Sequence, residues 1–143
     1  MLRSLCVRLF AGALVLAVVT AAPVAAQSEG HTCDVQGENK DCPDGNLEGA
    51  NLAGADLASA NLSGVNLRGA NLQGAYLVEV NLEGANLEGA DLFNATLTGA
   101  NLSRTNLVRA NLFEADISEA SFAGATFGQT VCPDASVTDG PSC

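Results

Sequence analysis

A five-residue period constrains this chain more than any other feature. It starts at Gly45 and runs without a gap to Gln129, which is 85 positions or 17 units. The unit reads Ala-Asn-Leu-X-Gly, as in Ala50-Asn51-Leu52-Ala53-Gly54 and Ala85-Asn86-Leu87-Glu88-Gly89. A helix advances about 100° per residue, so successive leucines would lie about 140° apart and share no face. Recurrent Gly and Asn also oppose a helix. In a straight strand, side chains alternate with period two. An odd period would then send Leu47, Leu52 and Leu57 to alternate sides. One solution keeps every leucine on one side: the chain bends once per unit.

The residue types agree with a bend. Ala50 and Leu52 are two apart, so in a short extended piece they share a face and supply an interior. The next two residues turn. A type II turn requires positive φ at its second central residue, which favours glycine. Nine units place glycine there, from Gly49 to Gly124. The other eight carry Ser59, Glu79, Asn94, Arg104, Arg109, Glu114, Glu119 and Gln129, most of them in the later half. For those units the sequence predicts a different turn, one that needs no positive φ. The interior column is leucine in 14 units and ends in Ile117, Phe122 and Phe127. Regular bending winds the chain into a coil whose stacked turns satisfy one another's backbone groups.

The run Ala-(Asn/Asp)-Leu-X-Gly over residues 45–129 resembles the pentapeptide-repeat family. The resemblance implies an all-β fold, a right-handed quadrilateral β-helix of about four coils. Four-sidedness comes from the resemblance; the period alone establishes only regular bending. Some family members are DNA mimics that protect bacterial topoisomerase from quinolones, and many have no assigned activity.

Residues 1–26 read as a signal peptide. Arg3 and Arg8 give a basic start, Leu9 to about Ala22 is apolar, and Val24-Ala25-Ala26 supplies small residues for cleavage. The apolar stretch is shorter than the ~20 residues a membrane span needs. Cleavage leaves no membrane span and removes Cys6, so five cysteines become four. It also leaves four basic residues against 16 acidic ones, a net charge of −12. An even cysteine count in an exported chain points to disulfides. Cys33 and Cys42 precede the repeats; Cys132 and Cys143 follow them. A solenoid of about four coils is roughly 20 Å long at the usual strand spacing. Disulfide Cα atoms must approach within about 7 Å, which excludes pairing from end to end. The expected bonds are therefore Cys33–Cys42 and Cys132–Cys143. Cys42-Pro43-Asp44 is echoed by Cys132-Pro133-Asp134, and both cysteines fall in frame at the leucine position. Residues 27–44 and 130–143 are read as disulfide-pinned caps for the open ends of the solenoid.

With four units per coil, residues 20 apart stack on one face. Glu48, Arg68, Glu88 and Val108 form one column, an alternating-charge ladder that ends on Val108. Ala53, Gln73, Phe93 and Phe113 form the next, with two phenylalanines expected in solvent. The following face carries Tyr76 and Val78 outward. Phe93, Phe113, Val108, Tyr76 and Val78 are thus the candidate interaction surface, for an unknown protein partner or for self-association. The Asn column is expected to stack its amides between rungs.

Chemistry is harder to place. The single histidine, His31, precedes the first cap cysteine, and no phosphate loop follows any repeat glycine. Surface acids such as Glu83 and Glu88 read as solubilising, and no cofactor or metal site is expected. The sequence therefore predicts a non-enzymatic, exported (periplasmic or extracellular) structural or interaction module. The alternative is a DNA mimic that binds topoisomerase. The acidic charge favours it weakly, since acidic surfaces attract basic proteins and repel nucleic acid. The signal peptide opposes it, and no nucleic-acid partner is expected.

Overall fold

A computed structural model describes residues 35, 40–140 and 143. The expected signal segment 1–26, His31 and Cys33 lie outside the described residues. The fold is all-β, yet among the described residues there is almost no conventional strand. Fourteen isolated parallel bridges, from Asn46↔Asn66 to Asn111↔Val131, each join residues 20 apart. Four five-residue units therefore separate stacked neighbours.

The backbone bonds explain why five residues suffice. Of the five N–H groups in unit 65–69, three go to neighbouring rungs. Asn66 donates to the Gly45 carbonyl (2.9 Å), Leu67 to Asn86 (2.8 Å) and Gly69 to Glu88 (2.8 Å). The Val65 N–H closes the preceding bend on the Leu62 carbonyl, 3.3 Å away. The fifth, on Arg68, is taken by the side-chain Oδ1 of Asn66 at 3.2 Å. The asparagine thus satisfies the one donor that the rungs leave over. The amides also stack as expected: Asn81 Nδ2 donates to Asn61 Oδ1 and Asn101 Nδ2 to Asn81 Oδ1.

The interior is apolar and continuous. The twelve leucines from Leu57 to Leu112 are fully buried, flanked by the Ala column. Thr105 and Thr130 replace alanine there, and their hydroxyls donate to the Leu102 and Leu107 carbonyls at 2.7 and 2.8 Å. At the C-terminal end the rings of Phe122 and Phe127 pack at 5.8 Å, broadening the column where the stack stops.

One expectation about the turns is corrected. Ser59, Glu79, Asn94, Arg104, Arg109, Glu114, Glu119 and Gln129 all adopt positive φ, 54–60°, like the glycines. The reason is the stacking. Where a further rung follows, the turn N–H meets a carbonyl on it, as Arg104 does on Ala123 at 2.9 Å. In the last units the same conformation continues, with Gln129 N–H donating to the Asp139 carboxylate instead. A turn of another type would aim that donor elsewhere. The register overrides local preference, which costs about 1–2 kcal/mol per strained residue.

The rung pattern reaches past both ends of the repeat proper. Cys42 donates to the Asn61 carbonyl and Asp44, at φ 56°, to Ser63. The Asp44 carboxylate lies over Gly64, where an added Cβ would sit 2.1 Å from its oxygen. At the other end, β1 (Thr130–Val131) pairs antiparallel with β2 (Val137–Thr138). That hairpin covers the open edge beside Val131, whose other edge meets Asn111. Cys132 and Cys143 form the expected disulfide, with Cα atoms 5.2 Å apart. Cys42 is also disulfide-bonded, and both Cys42 and Cys132 are buried interior residues.

Candidate functional site

The outer faces carry three distinct constellations. The first is the charge ladder. Arg68 Nη1 lies 3.2 Å from Glu48 Oε1, and its Nε lies 3.8 Å from Glu88 Oε2. Arg109, from the neighbouring turn, also donates to Glu88. These groups and Gly49, Gly69 and Gly89 line an open groove of about 400 Å³. Glycine at three successive turns leaves its floor bare. Exposed pairs of this kind contribute about 0–1 kcal/mol each. Sequence stepping found Glu48, Arg68 and Glu88 but missed Arg109, because its side chain crosses from one column to the next. The pair Arg104–Glu83, at 3.6 Å, crosses a corner in the same way.

The second is the aromatic stripe. Phe93 and Phe113 do stack, with centroids 5.9 Å apart and planes tilted by 38°. Both rings are half-buried, not projected into solvent as the sequence reading placed them. Each covers the other, worth about 0.5–1.5 kcal/mol beyond the area buried. Val108 is likewise half-buried; a Cβ built on Gly128 would meet its Cγ2 at 3.4 Å.

The third is the Tyr76 face. Tyr76 bridges to Asp56 and Thr96, so it belongs to a different column from Phe93. Its side chain is the most exposed aromatic among the described residues, at 58%. Val78 beside it is half-buried. The structure therefore separates Tyr76 and Val78 from the phenylalanine stripe. Asp116, two rungs on, accepts from the Ser118 hydroxyl (2.6 Å) and from Thr98 Oγ1 (3.1 Å). The Ser118 hydroxyl, then the Ser118 N–H, and then Thr98 hold the Asp116 carboxyl below its ordinary pKa. Lys40, 2.9 Å away, does the same for Asp56, helped by the Ala58 N–H. No three His, Cys, Asp or Glu side chains come together as a metal-holding group among the described residues.

Parallel rungs 20 residues apart, a leucine column and an Asn that caps its own unit define a solenoid of five-residue repeats. The chain belongs to the pentapeptide-repeat family, whose signature it matches in eight copies over residues 44–74 and 90–129. It is similar to a pentapeptide repeat protein from the Arabidopsis thaliana thylakoid lumen. That likeness has 32% identity over 69% of each chain and a TM-score of 0.64. It is also similar to HetL, involved in heterocyst differentiation regulation in the cyanobacterium Nostoc sp. strain PCC 7120. There the identity is 31%, covering 70% of this chain and 52% of HetL, with a TM-score of 0.58. Comparison with curated proteins gave no match.

Proposed function

We propose that the chain is an exported, non-catalytic interaction module, a rigid acidic rod whose faces bind a protein. We further propose that the rod is a right-handed, four-sided β-helix of about four coils with a disulfide-pinned cap at each end. The observation that carries the reading is how the surface polar groups are spent. The Asn column binds its own backbone, the ladder arginines bind the ladder glutamates, and Asp116 binds Ser118 and Thr98. What remains is a rigid scaffold with few unengaged groups, suited to recognition and poor in the convergent acid and base that catalysis needs. The thylakoid-lumen location of the Arabidopsis relative supports an export reading, as does the basic-then-apolar start of the sequence.

The test is fractionation followed by capture. The tagged protein is expected in the envelope or medium, shortened and with oxidised cysteines, and is expected to retain a protein partner. A full-length, reduced cytoplasmic form would overturn the export reading. Inhibition of DNA supercoiling by that form would establish topoisomerase mimicry instead. For self-association through the phenylalanine stripe, sedimentation of the parent and of Phe93→Ser/Phe113→Ser decides: identical monomers would remove that stripe as a dimer interface.

A further inference from the structure

We propose that the face centred on Tyr76 docks a positively charged protein segment. The proposal rests on the interaction-module reading and names its surface and the chemistry of its partner. Tyr76 occupies an asparagine position, and the substitution has two consequences. The ring stands in solvent, without the mutual cover that Phe93 and Phe113 give each other. The unit also loses its own cap. Asp56 and Asp116, in the same column, accept from the N–H of Ala58 and Ser118. Tyr76 and Thr96 do not accept from the N–H two residues on, so the N–H groups of Val78 and Thr98 have no hydrogen-bond partner among the described residues. Apart from Ala123 in the terminal rung, every other such position from Glu48 to Ser118 is capped from its own asparagine or aspartate. Two outward donors on adjacent rungs, about 4.8 Å apart, therefore flank an open ring. Outward donors of this kind bond to solvent until a partner replaces it, and the partner they suit brings acceptor oxygens, such as peptide carbonyls, together with a group that stacks on an aromatic face.

Charge selects the kind of partner. Arg68, Arg104 and Arg109 lie on other columns and are held by Glu48, Glu83 and Glu88. On the Tyr76 face and its corners stand Asp56, Glu79, Glu114, Asp116 and Glu119. The one cation there among the described residues is Lys40, on Asp56 at the first rung. An electron-rich ring bordered by carboxylates attracts guanidinium and ammonium groups. A neutral glycan would gain nothing from that border.

Isotope-labelled protein titrated with a decapeptide of alternating arginine and serine provides the test. Amide resonances of Val78 and Thr98 are expected to shift first and furthest, and a glutamine-serine decapeptide is expected to leave them in place. Tyr76→Asn restores the repeat residue and gives the Val78 N–H an acceptor, so folding should hold or improve while affinity falls roughly threefold or more. Phe113→Ser should leave affinity within about twofold. The assignment is overturned if the shifts spread evenly over all faces, or if Tyr76→Asn binds like the parent. It is overturned equally if maltohexaose moves these amides and the basic peptide does not. A native partner captured equally by parent and Tyr76→Asn would overturn this face while leaving the interaction-module reading standing.

Discussion

Replacing a strained turn residue by glycine should stabilise this protein, and Glu119→Gly isolates the effect. Glu119 sits at φ 60°, is exposed, and has no ion pair among the described residues. A side chain in the left-handed region costs about 1–2 kcal/mol. Glycine removes that cost but gives the unfolded chain more freedom, worth about 0.5–1 kcal/mol against folding. The net expectation is a gain of about 0.5–1 kcal/mol, or roughly 2–5 °C in Tm for a domain of this size. Glu114→Gly, at φ 58°, should behave alike, and the two together should come close to additive. The reciprocal change, Gly84→Ala, puts a Cβ into open space at φ 69°, so it reports backbone strain without a clash. It should destabilise by about 1 kcal/mol. Urea midpoints and thermal melts followed by circular dichroism measure all four proteins. Neutral or destabilising Glu119→Gly and Glu114→Gly, paired with a neutral Gly84→Ala, would refute the claim that these turns are strained; Glu114, whose N–H donates to the Pro133 carbonyl, carries the link to stacking.

Other perturbations test separate parts of the structure. Leu87→Ala should cost about 2–5 kcal/mol through the cavity it leaves, and Leu87→Asp should prevent folding, both read from soluble yield and denaturant midpoints. Gly64→Ala should destabilise by more than Gly84→Ala, because backbone strain at φ 67° is joined by a clash with the Asp44 carboxylate, and Gly64→Ala/Asp44→Ala should recover only the excess over Gly84→Ala. Cys143→Ser should lower stability by about 3 kcal/mol by freeing the short C-terminal loop, with amide exchange at Val131 and Val137 rising first. Asp56, Asp116 and Asp134 hold depressed folded pKa values, Asp134 chiefly through the Ser136 hydroxyl. Their contribution is present above the ordinary carboxylate pKa of about 3.9 and fades as pH falls below it. Melting curves from pH 5 to 2 should therefore drop less steeply in Asp116→Asn.

How much the sequence revealed follows from which interactions are periodic. The leucine column, the in-frame Cys42 and Cys132, the Cys132–Cys143 bond and the stacking of Phe93 on Phe113 were all legible. The column, the in-frame cysteines and the ring stacking depend only on the five-residue unit and the step of 20 that the family resemblance implies; the Cys132–Cys143 bond follows from both cysteines lying beyond the same end of the repeat. The exposure of Phe93 and Phe113 was misjudged because two outward rings on neighbouring rungs shield each other. Arg109 on Glu88 and Arg104 on Glu83 escaped notice because long side chains cross corners. Isolating Tyr76 as a site of its own required knowing which N–H each asparagine caps.

The sequence by itself determined that this chain bends every five residues around an apolar column, because no helix or flat strand keeps an odd-period leucine on one side. The stacked structure decided how the bends are made. A rung offers its donors at fixed positions, and that shared register forces Ser59, Arg104 and Glu114 into a backbone conformation their own preferences oppose. It also decided which surface groups remain unengaged, because hydrogen bonds between rungs consume some donors and leave the Val78 and Thr98 N–H groups beside the exposed ring of Tyr76.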